Sequence, residues 1–229
     1  GAELAQRASR FGAALQDQDL RPGERIAVQL AGGPDWMAAD WAIQRAGLVT
    51  VGLFPDETPA GTARLLADAE VHGLFADDLD LWTSVSRRAE LRGLRWVIPV
   101  GEPAITQDRR VRRLPEAPTT TLLHLPTPAI DPAALATLVY TSGATGMPMA
   151  VMMSHRNLLS NAVATAEALG LRGDDVIHTQ LPLTHLFGRT VCVYGAAWCG
   201  ATLVFGGGGV DLGEELASQK PTVMIGVPR

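Results

Sequence analysis

One short loop holds the residues best suited to chemistry. It runs from Tyr140 to Pro148 and reads Tyr-Thr-Ser-Gly-Ala-Thr-Gly-Met-Pro. The hydroxyl groups of Thr141, Ser142 and Thr145 can donate hydrogen bonds to anionic oxygens, and small residues let backbone N–H groups approach a ligand closely. Successive N–H groups of such a loop form a concave anion site. The loop therefore predicts a polyphosphate-binding site, although an ordinary turn rich in glycine, serine and threonine has the same composition.

The loop does not match two familiar nucleotide-binding patterns. In the Walker A pattern a lysine and then a serine or threonine follow the last glycine, whereas Met147 follows Gly146 here. The glycine spacing also differs from that of the dinucleotide-binding GxGxxG turn. Outside the loop, His185 is the other residue suited to chemistry. Taken alone, its position indicates a histidine at the start of a helix, packed in the core.

Alternating strands and helices must position these residues. Short apolar runs alternate with helical patterns along the chain, which is typical of βαβ units and a mainly parallel sheet. We predict strands at residues 25–30, 48–54, 71–76, 95–100, 136–140, 150–153, 176–180, 201–205 and 222–225. We predict helices at residues 3–16, 34–47, 58–69, 79–92, 155–169, 185–198 and 212–218.

A proline-rich stretch divides the chain. Seven prolines between positions 99 and 132 preclude a regular helix or a central strand there. We therefore predict an α/β fold with a first lobe at residues 1–98, a connector at 99–135, and a second α/β segment at 136–229 that carries the loop. The arginines of the connector are predicted to lie in a solvated loop: Arg109, Arg110, Arg112 and Arg113.

The overall composition indicates a folded protein and restricts its partners. Hydrophobic residues make up 47% and charged residues 19%, so a buried core is feasible. The net charge of −5 argues against a nucleic-acid-binding surface. We find no transmembrane segment and no signal peptide in the sequence. Cys192 and Cys199 are predicted to be buried thiols in a reducing compartment, which favours a cytoplasmic location, with peripheral membrane attachment left open.

The loop and its flanks resemble a known family. Tyr140–Asn157, reading YTSGATGMPMAVMMSHRN, resembles the signature of adenylate-forming enzymes, which usually reads YTSGTTGxPKGVxxSHxN. Leu181–Phe187 is similar to the LPLxHxF motif at the acyl pocket of these enzymes, and Pro221–Arg229 is similar to the PTxxxGVPR stretch of long-chain acyl-CoA synthetases. Residues 23–68 resemble the opening βαβ region of the family. The resemblance covers nearly the whole chain, as the N-terminal portion of a protein like a long-chain fatty acid–CoA ligase.

The resemblance implies stacked βαβ lobes with mostly parallel sheets, incomplete in this chain, and a two-step reaction. A small carboxylic acid, a fatty acid in the long-chain branch, attacks the α-phosphate of ATP, with Mg²⁺, to give acyl-AMP and pyrophosphate. The thiol of coenzyme A then displaces AMP. By the resemblance, His185 lies near the α-phosphate and the acyl carboxylate as the catalytic residue. The residues implied to bind the cofactor are those of the loop: Thr141, Ser142, Gly143, Ala144, Thr145 and Gly146.

The sequence departs from the family pattern within this region. Met149 stands where the family has a lysine, Ala150 replaces a glycine, and Ala144 replaces a threonine. These changes remove one charge and one hydroxyl donor, so they are expected to weaken phosphate binding without abolishing it, because the backbone donors remain. The only lysine, Lys220, precedes Pro221 and is predicted to be a solvated surface residue.

Three functions stay open at this point. The adenine, ribose and Mg²⁺ motifs of the family, and its C-terminal domain with the adenylation lysine, are expected beyond Arg229, so the 229 residues alone are expected to be inactive. Met149 favours a second function, that of a degenerate homologue that binds nucleotide or an acyl chain, or pairs with another protein. The third is a loading domain that passes the acyl group to a carrier protein. A homodimer is also left open.

Overall fold

The computed structural model describes residues 2–77, 79–86, 91, 93–101, 108–116, 128–142, 148–207 and 211–226. The chain folds as two compact units, Gly1–Met153 and Ser154–Arg229. Each unit has a sheet of its own with helices between the strands. The predicted α/β class with mostly parallel strands is confirmed.

The first unit is built on a sheet with the strand order β4-β3-β1-β2-β5-β6. Its strands are β1 (Arg25–Gln29), β2 (Val49–Gly52), β3 (Gly73–Ala76), β4 (Trp96–Pro99), β5 (Leu135–Ser142) and β6 (Pro148–Ser154). Its helices are α1 (Ala2–Gln16), α2 (Pro34–Arg45), α3 (Pro59–Asp68) and α4 (Leu79–Val85). The pairs β1–β2, β1–β3, β3–β4 and β2–β5 are all parallel.

Local sequence explains where these elements begin and end. The strand β1 has buried residues on both faces, as expected for a parallel strand covered by helices. Pro34 begins α2, because a residue in the first helical turn needs no N–H donor. Gly47 then adopts a φ of 73°, a left-handed conformation that suits glycine, and the chain turns into β2.

Aromatic side chains fill the core of the first unit. The rings of Phe11 and Phe75 meet edge to face with centroids 5.0 Å apart, and Phe75 meets Trp96 at 5.2 Å. Gly73 lies beneath the indole, where an added Cβ would come within 2.1 Å of the ring of Trp96. The absence of a side chain at Gly73 therefore allows β3 and β4 to pair closely beneath this ring.

The second unit has a smaller sheet with the order β8-β7-β9, in which both pairs of strands are parallel. Its strands are β7 (Val176–Thr179), β8 (Thr202–Phe205) and β9 (Val223–Ile225). Its helical elements are α5 (His155–Leu169), a π-helical segment (Gly188–Tyr194), α6 (Gly195–Cys199) and α7 (Leu212–Gln219).

The helix α5 confirms the prediction for residues 155–169. Ser154 caps it, because its hydroxyl accepts a hydrogen bond from the N–H of Asn157 at 3.2 Å. The side-chain oxygen of Asn157 in turn accepts from the N–H of Ser154 at 3.0 Å, which completes a capping box. Gly170 ends the helix with a φ of 62°.

Two predicted helices were wrong in extent or type. A regular helix was predicted over 185–198, but Gly188–Tyr194 is π-helical and a short α6 follows it. A helix was predicted over 79–92, but α4 ends at Val85; residues 87–90 and 92 lie outside the described part of the chain.

The connector contains more structure than its prolines indicate. Val111 forms a parallel bridge with Val97 of β4, so this part of the connector joins the edge of the sheet. Arg110 donates to Asp108 at 2.9 Å and lies 4.8 Å from the centroid of the Trp82 ring. The prediction that Arg110 lies in a solvated loop was therefore wrong.

The strand β5 belongs to the first sheet, where Leu138 pairs with Val51 of β2. The sequence had grouped this strand with the second segment; the division into 1–98, 99–135 and 136–229 itself stays a prediction. Both cysteines are free thiols, Cys192 buried as predicted and Cys199 partly exposed. Lys220 is exposed at the end of α7, as predicted.

Candidate functional site

The carboxyl ends of β1, β2, β3 and β5 share one edge of the first sheet, because these strands are parallel neighbours. Open α/β sheets bind their ligands outside this edge. The predicted phosphate loop begins here, since Thr141 and Ser142 are the last residues of β5. The side chain of Thr141 is exposed to solvent. A hydroxyl donor thus lies where the fold favours ligand binding.

Part of the loop falls outside the described residues. This holds for Gly143, Ala144, Thr145 and Gly146, and for the side chain of Ser142. Their roles in binding the cofactor stay predictions. The chain is described again from Pro148, where β6 begins. Met149, the residue that replaces the family lysine, follows with 62% of its surface exposed.

Two hydrogen bonds fix the strand that leads into the loop. The hydroxyl of Thr137 donates to the carbonyl oxygen of Thr50 at 2.7 Å, which ties β5 to β2. The hydroxyl of Tyr140 donates to Oδ2 of Asp68, at the end of α3, at 2.6 Å. Burial raises the pKa of Tyr140 well above its usual range, and the hydrogen bond to Asp68 raises it further. Tyr140 therefore stays a neutral donor at physiological pH.

His185 lies in the second unit, between β7 and the π-helical segment. Its side chain is exposed, which is inconsistent with packing in the core of this unit. Its backbone is held at both ends, because its N–H donates to the carbonyl of Pro182 and its carbonyl accepts from the N–H of Arg189, each at 3.1 Å. The catalytic role of His185 stays a prediction.

The π-helical segment packs closely against the residues that precede His185. A Cβ added at Gly188 would come within 2.9 Å of Leu181 Cβ and of the Pro182 carbonyl oxygen, so a larger residue would not fit without a shift. The next residue, Arg189, is only 1% exposed and donates from Nε to the hydroxyl of Tyr194 at 2.8 Å. The start of the π-helical segment therefore packs directly against the first residues of the LPLTHLF motif.

An open apolar groove of about 480 Å³ lies in the second unit. Phe187, from the same motif, lines it with half of its surface exposed. Its remaining walls are Ala164, Thr165, Ala168, Leu169, Val191, Met224, Ile225 and Gly226. The composition of these walls suits an apolar ligand better than a phosphate.

A buried polar cluster in the second unit was not foreseen from the sequence. His178 is fully buried, and its Nε2 lies 3.2 Å from Oε2 of Glu215, so Nε2 must donate to the carboxylate. Glu215 also accepts from the N–H of Gly207 at 3.1 Å. Gly206 lies against the imidazole, where a Cβ would approach Nε2 to 2.6 Å. The cluster joins β7, α7 and the glycine turn after β8. His178 and Glu215 are 37 positions apart, so no local sequence pattern predicts their contact.

The cluster gives a prediction for the effect of pH on stability. Hydrogen bonds, first that from the N–H of Gly207, lower the pKa of Glu215 from its ordinary value of 4.5. The folded state therefore binds the Glu215 proton less tightly than the unfolded state does. The carboxylate stabilises the fold at pH values above 4.5, and this stabilisation is lost as pH falls through the lowered pKa of the folded state. We expect Glu215→Gln to reduce the drop in melting temperature between pH 7 and about pH 2, because the stabilisation is lost below the ordinary carboxyl pKa.

The control for this measurement is Glu214→Gln, which changes the exposed neighbouring carboxylate. It should leave the pH dependence of the wild type unchanged. Thermal melts of the three proteins across the range decide the matter, and identical pH profiles for wild type and Glu215→Gln would contradict a role of this carboxyl in stability.

The described residues contain no group of three or more histidine, cysteine or acidic side chains placed to hold a metal ion. Among the described helices, none has both the length and the apolar character needed to cross a bilayer.

Known proteins similar to this chain identify its family. The model of the AMP-binding enzyme family matches residues 1–229. The chain belongs to the AMP-binding enzyme family. Membership of this family agrees with the resemblance of the loop, the LPLTHLF motif and the final strand to adenylate-forming enzymes.

Similar proteins include ligases that are named for different acids. The long-chain-fatty-acid–CoA ligase FadD15 of Mycobacterium bovis is 30% identical over 247 residues, covering 100% of this chain and 38% of the relative. The salicyl-AMP ligase/salicyl-S-ArCP synthetase of Mycobacterium tuberculosis is 33% identical over 211 residues, covering 89% of this chain and 36% of the relative. The chain spans about a third of the length of the curated relatives it matches.

The fold agrees with solved structures of the same class. ATP-bound MatB of Rhodopseudomonas palustris superposes with a TM-score of 0.76 at 24% identity, covering 97% of this chain and 43% of MatB. This likeness establishes the fold alone.

Proposed function

We propose that this AMP-binding enzyme chain carries the polyphosphate-binding part of an ATP-dependent ligase that activates a carboxylic acid as acyl-AMP. The observation that carries the proposal is the position of Thr141, exposed at the carboxyl edge of a parallel sheet at the start of the signature loop. The related fold of MatB binds ATP, which agrees with this assignment.

In this proposal the loop residues bind the β- and γ-phosphates of ATP. The hydroxyl of Thr141 donates to a phosphate oxygen, and the N–H groups of residues 142–146 form the rest of the anion site. ATP supplies the activated phosphorus, and the family motif assigns His185 to the carboxylate of the acid. Mg²⁺ would accompany the nucleotide.

We further propose a fatty acid or a related apolar acid as substrate and coenzyme A as acceptor. The apolar groove beside Phe187 supports an apolar acyl chain, because its walls bury hydrocarbon rather than charge. The relative FadD15, which is named as a long-chain-fatty-acid–CoA ligase, agrees with this proposal. A cytoplasmic location also stays a proposal, based on the two free thiols.

A specific observation favours a second function. The salicyl-S-ArCP synthetase, with 33% identity, has a name that couples adenylation to an aryl carrier protein. The parent of this chain would then load a carrier protein instead of coenzyme A. A degenerate homologue without catalysis is the remaining alternative, supported by Met149 in place of the family lysine.

Titration calorimetry of the 229-residue chain with magnesium tripolyphosphate, MgATP and AMP tests the phosphate site. Tripolyphosphate isolates the phosphate contacts from those to adenine and ribose. We expect tripolyphosphate and ATP to bind and AMP to bind more weakly, because AMP lacks the β- and γ-phosphates. Failure of tripolyphosphate to bind at millimolar concentration would exclude the proposed site.

We also expect the 229 residues alone to show no ATP–pyrophosphate exchange. The chain spans about a third of its curated relatives, and the resemblance places the adenine, ribose and lysine elements outside it. The assay would use a panel of fatty acids and salicylate, with a protein-free blank. Exchange clearly above the blank would show that the chain catalyses adenylation by itself.

A further inference from the structure

The first residue of the phosphate loop, Tyr140, is buried and makes a polar contact with another element. Tyr140 is 8% exposed, and its hydroxyl donates to Oδ2 of Asp68 at 2.6 Å. Asp68 is the final residue of α3, whereas Tyr140 lies 72 positions later on β5. This hydrogen bond thus joins the end of a helix to the start of the loop.

The contact has the features of a charge-assisted hydrogen bond. Oxygen–oxygen distances of about 2.5–2.7 Å are typical when a hydroxyl donates to a carboxylate. Burial and the hydrogen bond to Asp68 keep the phenol protonated, since both raise the pKa of Tyr140. Tyr140 therefore remains the hydrogen-bond donor over the physiological range of pH.

Asp68 lies on a helix that is itself fixed to the sheet. The amide of Gln29, at the end of β1, donates to the hydroxyl of Thr62 on α3 at 3.0 Å. The same amide donates to the carbonyl of Phe54, after β2, at 3.1 Å. Leu65 and Leu66 bury the inner face of the helix. The carboxylate is therefore presented to β5 by an element with little freedom to move.

Pairing with β2 does not reach as far as the loop. The last residue of β5 that is in register with β2 is Val139, opposite Gly52. Tyr140 is the next residue and Thr141 follows it. On the β2 side of β5, the hydrogen bond from Tyr140 to Asp68 therefore follows directly after the last residue paired with β2.

We propose that Asp68 is a positioning residue that sets the start of the phosphate loop through its hydrogen bond with Tyr140. The proposal rests on the proposed function of the loop. In this proposal Asp68 acts through Tyr140 and not by binding phosphate, because its negative charge would repel a polyphosphate. The two effects of the carboxylate, positioning and repulsion, therefore predict opposite results when it is removed.

Substitutions at both ends of the bond separate these effects. Asp68→Ala and Tyr140→Phe each remove the hydrogen bond, and we expect each to weaken binding of magnesium tripolyphosphate by about tenfold, within the range for a lost charge-assisted hydrogen bond. Asp68→Asn keeps an acceptor oxygen without the charge, so it should retain much of the affinity. Tighter binding by Asp68→Ala would show that the carboxylate acts only by repulsion and would overturn the proposal.

Glu70→Gln provides the matched control. Glu70 lies two residues beyond Asp68 and forms a salt bridge with Arg25 at 2.6 Å. The hydroxyl of Tyr140 donates to Asp68 and not to Glu70. The substitution removes the same charge, and we expect no loss of tripolyphosphate affinity. Calorimetry is done well below the melting temperature of each variant, so that lost affinity cannot arise from unfolded protein. An equal loss in Glu70→Gln would also overturn the proposal.

Hydrogen exchange measured without ligand distinguishes failure of this proposal from failure of the proposed function. We expect the peptide that contains Tyr140 and the loop to exchange faster in Asp68→Ala and Tyr140→Phe than in the wild type or Glu70→Gln. If that peptide exchanges faster but tripolyphosphate does not bind to the wild type, positioning stands and the phosphate function fails. If the wild type binds but exchange and affinity are unchanged in both variants, the role of Asp68 fails.

Discussion

Replacing Thr141 by alanine is expected to weaken binding of tripolyphosphate by about tenfold to a hundredfold, which is the range for a hydrogen bond to a charged group. The exposed hydroxyl of Thr141 lies at the carboxyl edge of the sheet, where it is free to meet a ligand. The backbone N–H groups of the loop remain after the substitution, so binding should weaken without vanishing.

Two further variants make this measurement specific. Thr141→Ser keeps the hydroxyl and should bind nearly as well as the wild type. Thr202→Ala changes an exposed threonine on β8 of the second unit and should have no effect. Calorimetric titrations of all four proteins decide the result. Equal affinity of Thr141→Ala and wild type would remove this side chain from the site.

The order of the elements was largely predictable, because hydrophobic periodicity and end signals agree along most of the chain. Pro34 begins α2, and Ser154 with Asn157 caps α5, each in agreement with local rules. Such signals act between residues that are close in sequence, so they can be read without knowledge of the fold. They also predicted a strand at 136–140, which lies within β5, although β5 continues to Ser142.

The type of helix after His185 was not predictable in the same way. Apolar residues of a π-helical segment do not follow the 3.6-residue period used to recognise helices, because its hydrogen bonds run from residue i to i+5. Arg189 and Tyr194 lie five residues apart, and their side chains form a hydrogen bond. This bond gives the buried guanidinium a partner at a position where the sequence pattern favours an apolar residue. The bridge between Val97 and Val111 was missed because prolines around it obscured a single paired residue.

The long-range polar contacts of both units depend on tertiary structure. Asp68 meets Tyr140 across 72 residues, and Glu215 meets His178 across 37. Neither acidic residue stands out in the sequence, because solvated helix ends often carry Asp or Glu. The sequence therefore predicted candidate ligand-binding groups through a motif, but not the long-range contacts beside them.

Restoring the family lysine at position 149 is expected to tighten binding of MgATP by about tenfold or less, near 1 kcal/mol, since exposed charge pairs contribute little. Met149 follows the loop on β6 and is 62% exposed, so a lysine in its place can extend without displacing packed neighbours. Its ammonium is a flexible point charge suited to phosphate.

The dependence on salt and a neighbouring substitution test the origin of this gain. Screening should reduce the effect of Met149→Lys as ionic strength rises, because the contact is open to solvent. Met152→Lys adds the same charge at a residue that is 68% exposed on the same strand. Since side chains three positions apart on a strand point to opposite faces, it should give a smaller gain.

Calorimetric titrations with MgATP at low and high salt compare the two variants with the wild type. If Met149→Lys binds no more tightly than the wild type at low salt, position 149 does not reach the phosphates, and the chain is better explained as a homologue without catalysis.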